Sequence, residues 1–427
     1  MKIKLSLCVL LLSIGCMEQT NRGVANLEVS SPAAEHMSAE RLMRIDQMIN
    51  SAIEEDEIPG AVALIARNGR IVYHKAFGTT NPSTGREYRT DDIFRIASQT
   101  KAITATAVMI LWEEGKFRLD DPISKYIPEF KNPQLLDSFV EADTTYTTTA
   151  ADKEISIRHL ITHTSGIGYS VIDEDDRIRK IYAKSGTVNL FTTEAVTIED
   201  NVKKLSGLPL HHNPGDGWTY SEGLDVLGYF IEVVSGMPLD QFLKERIFDP
   251  LEMNDTYFYL PEEKYDRLVP VQTWSDNQWA LYSDDLYDVD FPKKGAKSYF
   301  SGGAGLNSTA EDYARFLQMY LNKGEYNGQR LLSRTTIQTI MSNQIFDHWG
   351  NSGAYYGLAF GVVDEIGQAL GGRGSVGTFD WGGYFNTSFF ADPVENTIGI
   401  LLKQTRKIEE DNTGWRFRQM VGNAIDD

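Results

Sequence analysis

Hydrophobic positions fall into clear patterns at the two ends of the chain and into less regular ones between. Leu42, Ile45, Met48, Ile49 and Ile53 recur at helical spacing behind Ser38, whose side chain suits a helix N-cap, and Pro59-Gly60 ends the run. The next stretch, GAVALIARNGRIVYHKAFG, reads as a β-hairpin, because two apolar runs flank Asn68-Gly69, a strong two-residue turn signal. Strand-like runs return only late, in GLAFGVVD, TFDWGGYFNTSFFAD and NTIGILLKQ, before a final helix expected over Ile408–Ala424. Residues 86–300 read mostly as helical segments and loops, including ISIRHLITHTSG and GLDVLGYFIEVVSGM. Tyr257–Phe300 is rich in aromatics and poor in periodicity. Strands at both ends with helices between them predict one sheet closed by both termini and a helical insertion.

The extreme N-terminus follows another logic. MKIK is basic, Leu5–Ile14 is apolar but too short to span a bilayer comfortably, and small residues lead to Cys16. Residues 1–15 are therefore expected to be a signal peptide. Gly15-Cys16 resembles a bacterial lipoprotein cleavage site, which implies an exported, periplasmic protein attached to a membrane through a lipidated Cys16. Residues 16–37 are polar or small and are expected to form a flexible tether. The only cysteines are Cys8 and Cys16, so a processed chain has no disulfide and no cysteine nucleophile. The formal charge is −19, and it becomes −21 once Lys2 and Lys4 are removed. That acidity argues against nucleic acid as a partner.

The stretch with chemical content is RIASQTKAITATAVMIL, Arg95–Leu111. Ser98 and Lys101 are three apart on an expected helix, hence on one face, and small or apolar residues surround them. A serine hydroxyl is a weak nucleophile until a base takes its proton. A lysine held beside it in an apolar setting can be that base, and N–H groups at a helix start can stabilise an oxyanion. No other S-x-x-K occurs in the chain, although one chance match in this length is equally plausible on these facts. Tyr220 follows the Asn213-Pro214-Gly215 loop just before an apolar helix, and Trp381-Gly382-Gly383-Tyr384 sits in a strand-like run. Paired glycines in a strand mark close approach by a ligand or another backbone.

Taken in order, Ser98-x-x-Lys101, Tyr220-Ser221 and a glycine-containing triplet on a late strand resemble the serine β-lactamase and penicillin-binding-protein superfamily. The class C β-lactamase-like branch, with its family VIII carboxylesterases, is the nearest match. LWEEGKFRLDDPISKYIPEF, HLITHTSGIG and SGGAGLNSTAEDYARF extend the resemblance from about Glu40 to the C-terminus. It implies a β-lactamase/transpeptidase-like α/β fold: an antiparallel sheet flanked by helices, with an inserted, mostly helical subdomain. Residues 38–427 would be one catalytic domain, its α/β part about 38–85 and 301–427 and its helical part about 86–300. The resemblance also implies roles. Ser98 would be the acylated nucleophile, Lys101 would accept or relay its proton, and Tyr220 would be the general base. The backbone N–H groups of Ser98 and Tyr384 would form the oxyanion hole, with Trp381, Gly382 and Gly383 lining the substrate site. No metal or organic cofactor is implied.

Two departures shift the expected substrate. Tyr220-Ser221-Glu222 lacks the asparagine usual in β-lactamases, and Trp381-Gly382-Gly383 lacks the Lys-Thr pair that binds a substrate carboxylate. Small esters, or amides without an essential carboxylate, are favoured over β-lactams and D-alanyl-D-alanine peptides. A peptidase or β-lactamase, and a catalytically weak binding protein of the same fold, stay open as alternatives. Weaker signals carry less. Gly372–Gly377 fits G-x-G-x-x-G but precedes a strand, and no G-x-S-x-G elbow occurs. His211-His212 and Asp284–Asp290 are expected to be solvated loops, and His163 a structural hydrogen-bonding residue. Tyr257, Tyr259, Trp274, Trp279 and Tyr282 fit either pocket lining or packing.

Overall fold

The computed structural model describes residues 26–188, 190–406 and 411–427, so the expected signal peptide and Cys16 lie outside the described residues. The first elements are strand β1 (Glu28–Val29), helix α1 (Ala39–Glu54) and the hairpin β2 (Gly60–Arg67) and β3 (Arg70–Asn81). Ser38 caps α1 by accepting from the Arg41 N–H. Asn68 (φ 52°) and Gly69 (φ 71°) both take the left-handed conformation, the geometry of a type I′ turn. The last elements are β4 (Ala354–Tyr356), β5 (Gly361–Val363), β6 (Phe379–Gly383), β7 (Thr387–Asp392) and β8 (Thr397–Leu402).

These strands join in the order β1-β3-β2-β8-β7-β6-β5-β4, with Arg86–Glu87 added beside β3. The first hairpin thus closes on the last strand, Val62 pairing with Leu402 and Arg67 with Thr397. Every pair is antiparallel except β1 with β3. β2 is buried along its whole length because both faces are covered. Ala61, Ala63 and Ile65 pack with α1 and the C-terminal helix α5 (Thr413–Asn423), while Val62, Leu64 and Ala66 face the larger core. That core holds α2 (Thr100–Glu113), α3 (Gly223–Ser235) and α4 (Ala310–Leu321).

Three expectations need correction. The expected tether of residues 16–37 is not free from residue 26 onward. Leu27 and Met37 are buried, and Glu28 and Val29 pair with Arg70 and Ile71. A two-residue strand has no periodicity to read. The C-terminal helix begins at Thr413 rather than Ile408, residues 407–410 being outside the description. Asp411 stops it from starting earlier among the described residues: it accepts from the Thr413 N–H and pairs with buried Lys403. Finally, the middle region holds two hairpins, Gln134–Val140 with Thr145–Ala150 and Gln272–Ser275 with Gln278–Leu281. Thr145–Ala150 is exposed throughout and carries no apolar alternation, so its strand character rests on β-branched residues alone. The second hairpin turns at Asp276-Asn277, both with positive φ, and faces Trp274 against Trp279.

Candidate active site

Phe94–Arg95 forms a short strand against Asn307–Ser308, and a single 3₁₀ turn over Ala97–Gln99 leads into α2 at Thr100. Arg95 is fully buried, donating to the Val289 and Val269 carbonyls at 2.6 and 2.7 Å. It therefore ties this strand to the aromatic segment. Ala97 adopts φ 44°, a left-handed conformation costing a non-glycine residue about 1–3 kcal/mol. The turn is held in place against that cost immediately before Ser98.

Residues Thr100–Leu111 of α2 are all buried, and Lys101 is fully so. A buried ammonium needs a partner for each of its three N–H donors. Lys101 Nζ finds the Gly303 carbonyl at 2.8 Å, Ser98 Oγ at 3.4 Å and the Tyr169 hydroxyl at 3.4 Å. Its charge also lies 4.7 Å from the Tyr220 ring centroid. Lysine and serine thus meet as the spacing predicts. Tyr220 faces the lysine with its ring, and among the described residues its hydroxyl makes no hydrogen bond to either.

Tyr220 is positioned by His163. The His163 carbonyl accepts from Thr219 N–H (2.9 Å), and His163 Nδ1 accepts from Ser221 N–H (3.1 Å), bracketing Tyr220 on both sides. Because Nδ1 accepts, the ring proton of the neutral imidazole is on Nε2. Burial, and secondarily the Lys101 charge, push the His163 pKa well below the ordinary histidine value. The structural role expected of His163 is the one seen.

Glycines permit the close approaches. A methyl group at Gly383 would lie 2.2 Å from Thr387 Oγ1 and 2.5 Å from the Ile96 carbonyl oxygen, so only glycine lets β6 lie against the turn bearing Ser98. At Gly382 the nearest atom would be 3.4 Å away, an ordinary contact. Gly302 and Gly303 are equally confined: their methyls would meet Leu224 O and Asp225 Oδ2, each at 2.4 Å. The SGG run thereby brings α2, α3 and a backbone acceptor for Lys101 together.

Sequence reasoning missed Tyr169, Gly303 and Asp225. Tyr169 is buried, and its ring stacks on Tyr220 with centroids 5.6 Å apart. The quoted HLITHTSGIG stretch stops one residue short of it. Asp225 lies across Gly303 from Lys101, with the Tyr299 hydroxyl at 3.5 Å. Burial raises its pKa to about 6. Glu222 is buried too, and burial followed by the Asp225 charge raises it to about 7. Its Oε1 accepts from Ser170 N–H at 2.8 Å, so Glu222 ties down the Tyr169-Ser170 loop.

Trp381 forms an apolar wall, its ring 5.9 Å from Tyr220 and 5.2 Å from Tyr356. Tyr384 packs among Phe191, Tyr287 and Phe385, with the Arg406 guanidinium 3.7 Å from its ring centroid. Tyr282 joins that cluster. Trp274 and Trp279 pair within their own hairpin. Tyr257 packs near Ile93 and Leu260, and Tyr259 against the main core. His211 is not a solvated loop residue: its Nε2 lies 2.9 Å from Asp173 Oδ2, and His212 bonds Asn213 O and Thr219 Oγ1.

The Beta-lactamase family profile matches residues 45–422. The chain belongs to the β-lactamase family. As a serine hydrolase of that family, it is 31% identical over 379 residues to Esterase EstB of Burkholderia gladioli, covering 85% of this chain and 90% of the relative. It is 28% identical over 383 residues to the lovastatin esterase of Penicillium rubens, covering 83% and 91%. Among solved structures, EstCE1, a hydrolase with promiscuous acyltransferase activity, superposes with TM-score 0.75 at 26% identity, covering 90% of this chain and 98% of the other. Because β6 lies against the turn bearing Ser98 and α2 leaves from that turn, Ser98 stands where the sheet meets the helical region.

Proposed function

We propose that this protein is a carboxylesterase for small esters. The observation that carries the reading is the pairing of Ser98 and Lys101 beside a third motif, Trp381-Gly382-Gly383, that offers aromatic surface where a carboxylate-binding cation would otherwise stand. The esterase names of two relatives support it. Ser98 Oγ attacks the ester carbonyl as its proton passes to the Tyr220 oxygen, which acts as the base in its deprotonated form beside the Lys101 ammonium. The Ser98 and Tyr384 N–H groups hold the oxyanion. Collapse breaks the bond to the alkoxy group, which leaves as the alcohol after taking that proton. Water, activated through Tyr220, then attacks the acyl-serine and releases the acid.

The N-terminal features add that the protein is exported, periplasmic and lipidated at Cys16. One plate tests the chemistry. Wild type, Ser98→Ala and Tyr220→Phe each meet a short-chain nitrophenyl ester and a chromogenic cephalosporin. Ser98-dependent ester turnover with little cephalosporin turnover is expected. Efficient cephalosporin turnover would reassign the protein as a β-lactamase. Absence of any Ser98-dependent turnover would overturn the esterase reading.

A further inference from the structure

A cavity of about 610 Å³ opens beside Tyr220. Trp218 and Tyr220 line it together with Asp173, Glu174, Asp175 and His211. Among the described residues its wall contains no lysine or arginine. The three carboxylates have different employment. Asp173 Oδ2 accepts from Tyr169 N–H at 2.8 Å and meets His211 Nε2 at 2.9 Å. Asp175 caps the helix Asp176–Ser185 and pairs with Arg177 at 2.6 Å. Glu174 is exposed and makes no ion pair or side-chain hydrogen bond among the described residues. The neighbouring cations are already paired: Arg179 with Asp176 and with the Asp173 carbonyl, and Lys101 against the Tyr220 ring.

We propose that this cavity is a subsite for a cationic part of the substrate, an alkylammonium carried by the acyl or alcohol portion of the ester. The proposal rests on the esterase reading and specifies its substrate class. Glu174 supplies the free negative charge, and the aromatic rings supply π surface that attracts a cation and tolerates its alkyl groups. Lys101 already draws on the Tyr220 ring, so Trp218 contributes the larger share. Tyr220 lines the cavity and also meets Lys101, so the cavity adjoins the catalytic cluster through that one side chain. The dimensions fit a group of several heavy atoms, and the acidity of the whole chain adds attraction at low ionic strength.

The test compares choline with its neutral carbon isostere, in which a tert-butyl group replaces the trimethylammonium. Both are titrated by tryptophan fluorescence and as inhibitors of nitrophenyl acetate hydrolysis. One exposed ion pair and one cation–π contact together predict that choline binds about five- to tenfold more tightly. Glu174→Gln should narrow that gap about two- to threefold, and Glu174→Lys should abolish it. Equal or tighter binding of the isostere, no binding of choline, or an unchanged gap in both variants would overturn the proposal. Fluorescence reads binding without turnover, so failure of the esterase reading appears separately, as nitrophenyl acetate hydrolysis that does not depend on Ser98.

Discussion

Glu222→Gln gives the sharpest physical test, because a buried carboxyl couples stability to pH. Glu222 is 1% exposed. Its pKa is raised from 4.5 to about 7, chiefly by burial and then by Asp225. In the unfolded chain the carboxyl loses its proton near the ordinary value, whereas the folded protein keeps it until about pH 7. Between those values the native state binds more protons than the unfolded state, so stability falls as pH rises, and the whole loss is present above about pH 7. At about 1.4 kcal/mol per pH unit, the shift corresponds to about 3 kcal/mol. A glutamine retains the Oε1 acceptor for Ser170 N–H and has nothing to ionise. Urea unfolding of both proteins at pH 5 and pH 8 is the assay. The stability of Glu222→Gln relative to wild type should rise by about 2 to 3 kcal/mol between the two pH values. Asp225 titrates in both proteins, so its contribution largely cancels. Parallel pH dependences would refute the reasoning, since they would mean that Glu222 is hydrated or ionises freely in the folded state.

Other consequences are equally open to measurement. Lys101→Met should lower kcat for a nitrophenyl ester by about a thousandfold or more with KM little changed, because the proton route from Ser98 loses its cation and the pocket is kept; a change confined to KM would contradict that role. Gly383→Ala should cost at least about tenfold in kcat/KM by forcing β6 off Ile96, whereas Gly382→Ala should stay within about threefold. Equal effects at both glycines would rule out the contact with Ile96 as the cause. The proposed lipidation predicts that wild type fractionates with the membrane pellet and that replacing Cys16 by alanine moves the protein to the soluble fraction; unchanged fractionation would refute lipid attachment.

Much of the scaffold was legible because it depends on near neighbours. Ser38 reaches only three residues along to cap α1, and Asn68-Gly69 makes its turn from its own backbone freedom. The Ser98–Lys101 contact likewise follows from helical spacing. Elements without such local signals were not legible. Glu28–Val29 is a strand only because Arg70 and Ile71 pair with it, and Thr145–Ala150 displays no buried face.

Helical spacing, caps and turns act within a few residues, so the sequence alone could specify the hairpin, the first helix and a lysine beside a serine. What makes that lysine tolerable in a buried helix was decided by the tertiary structure. Its acceptor at Gly303 lies 202 positions away and Tyr169 lies 68 away. The need for glycine at 383 and not at 382 appears only when β6 meets the Ile96 carbonyl. Glu222, an apparent loss of substrate recognition in the sequence, becomes a buried tie for the Tyr169 loop once folding removes it from water. Burial and long-range contact set the energy of a charged or crowded group, and neither can be read from its neighbours along the chain.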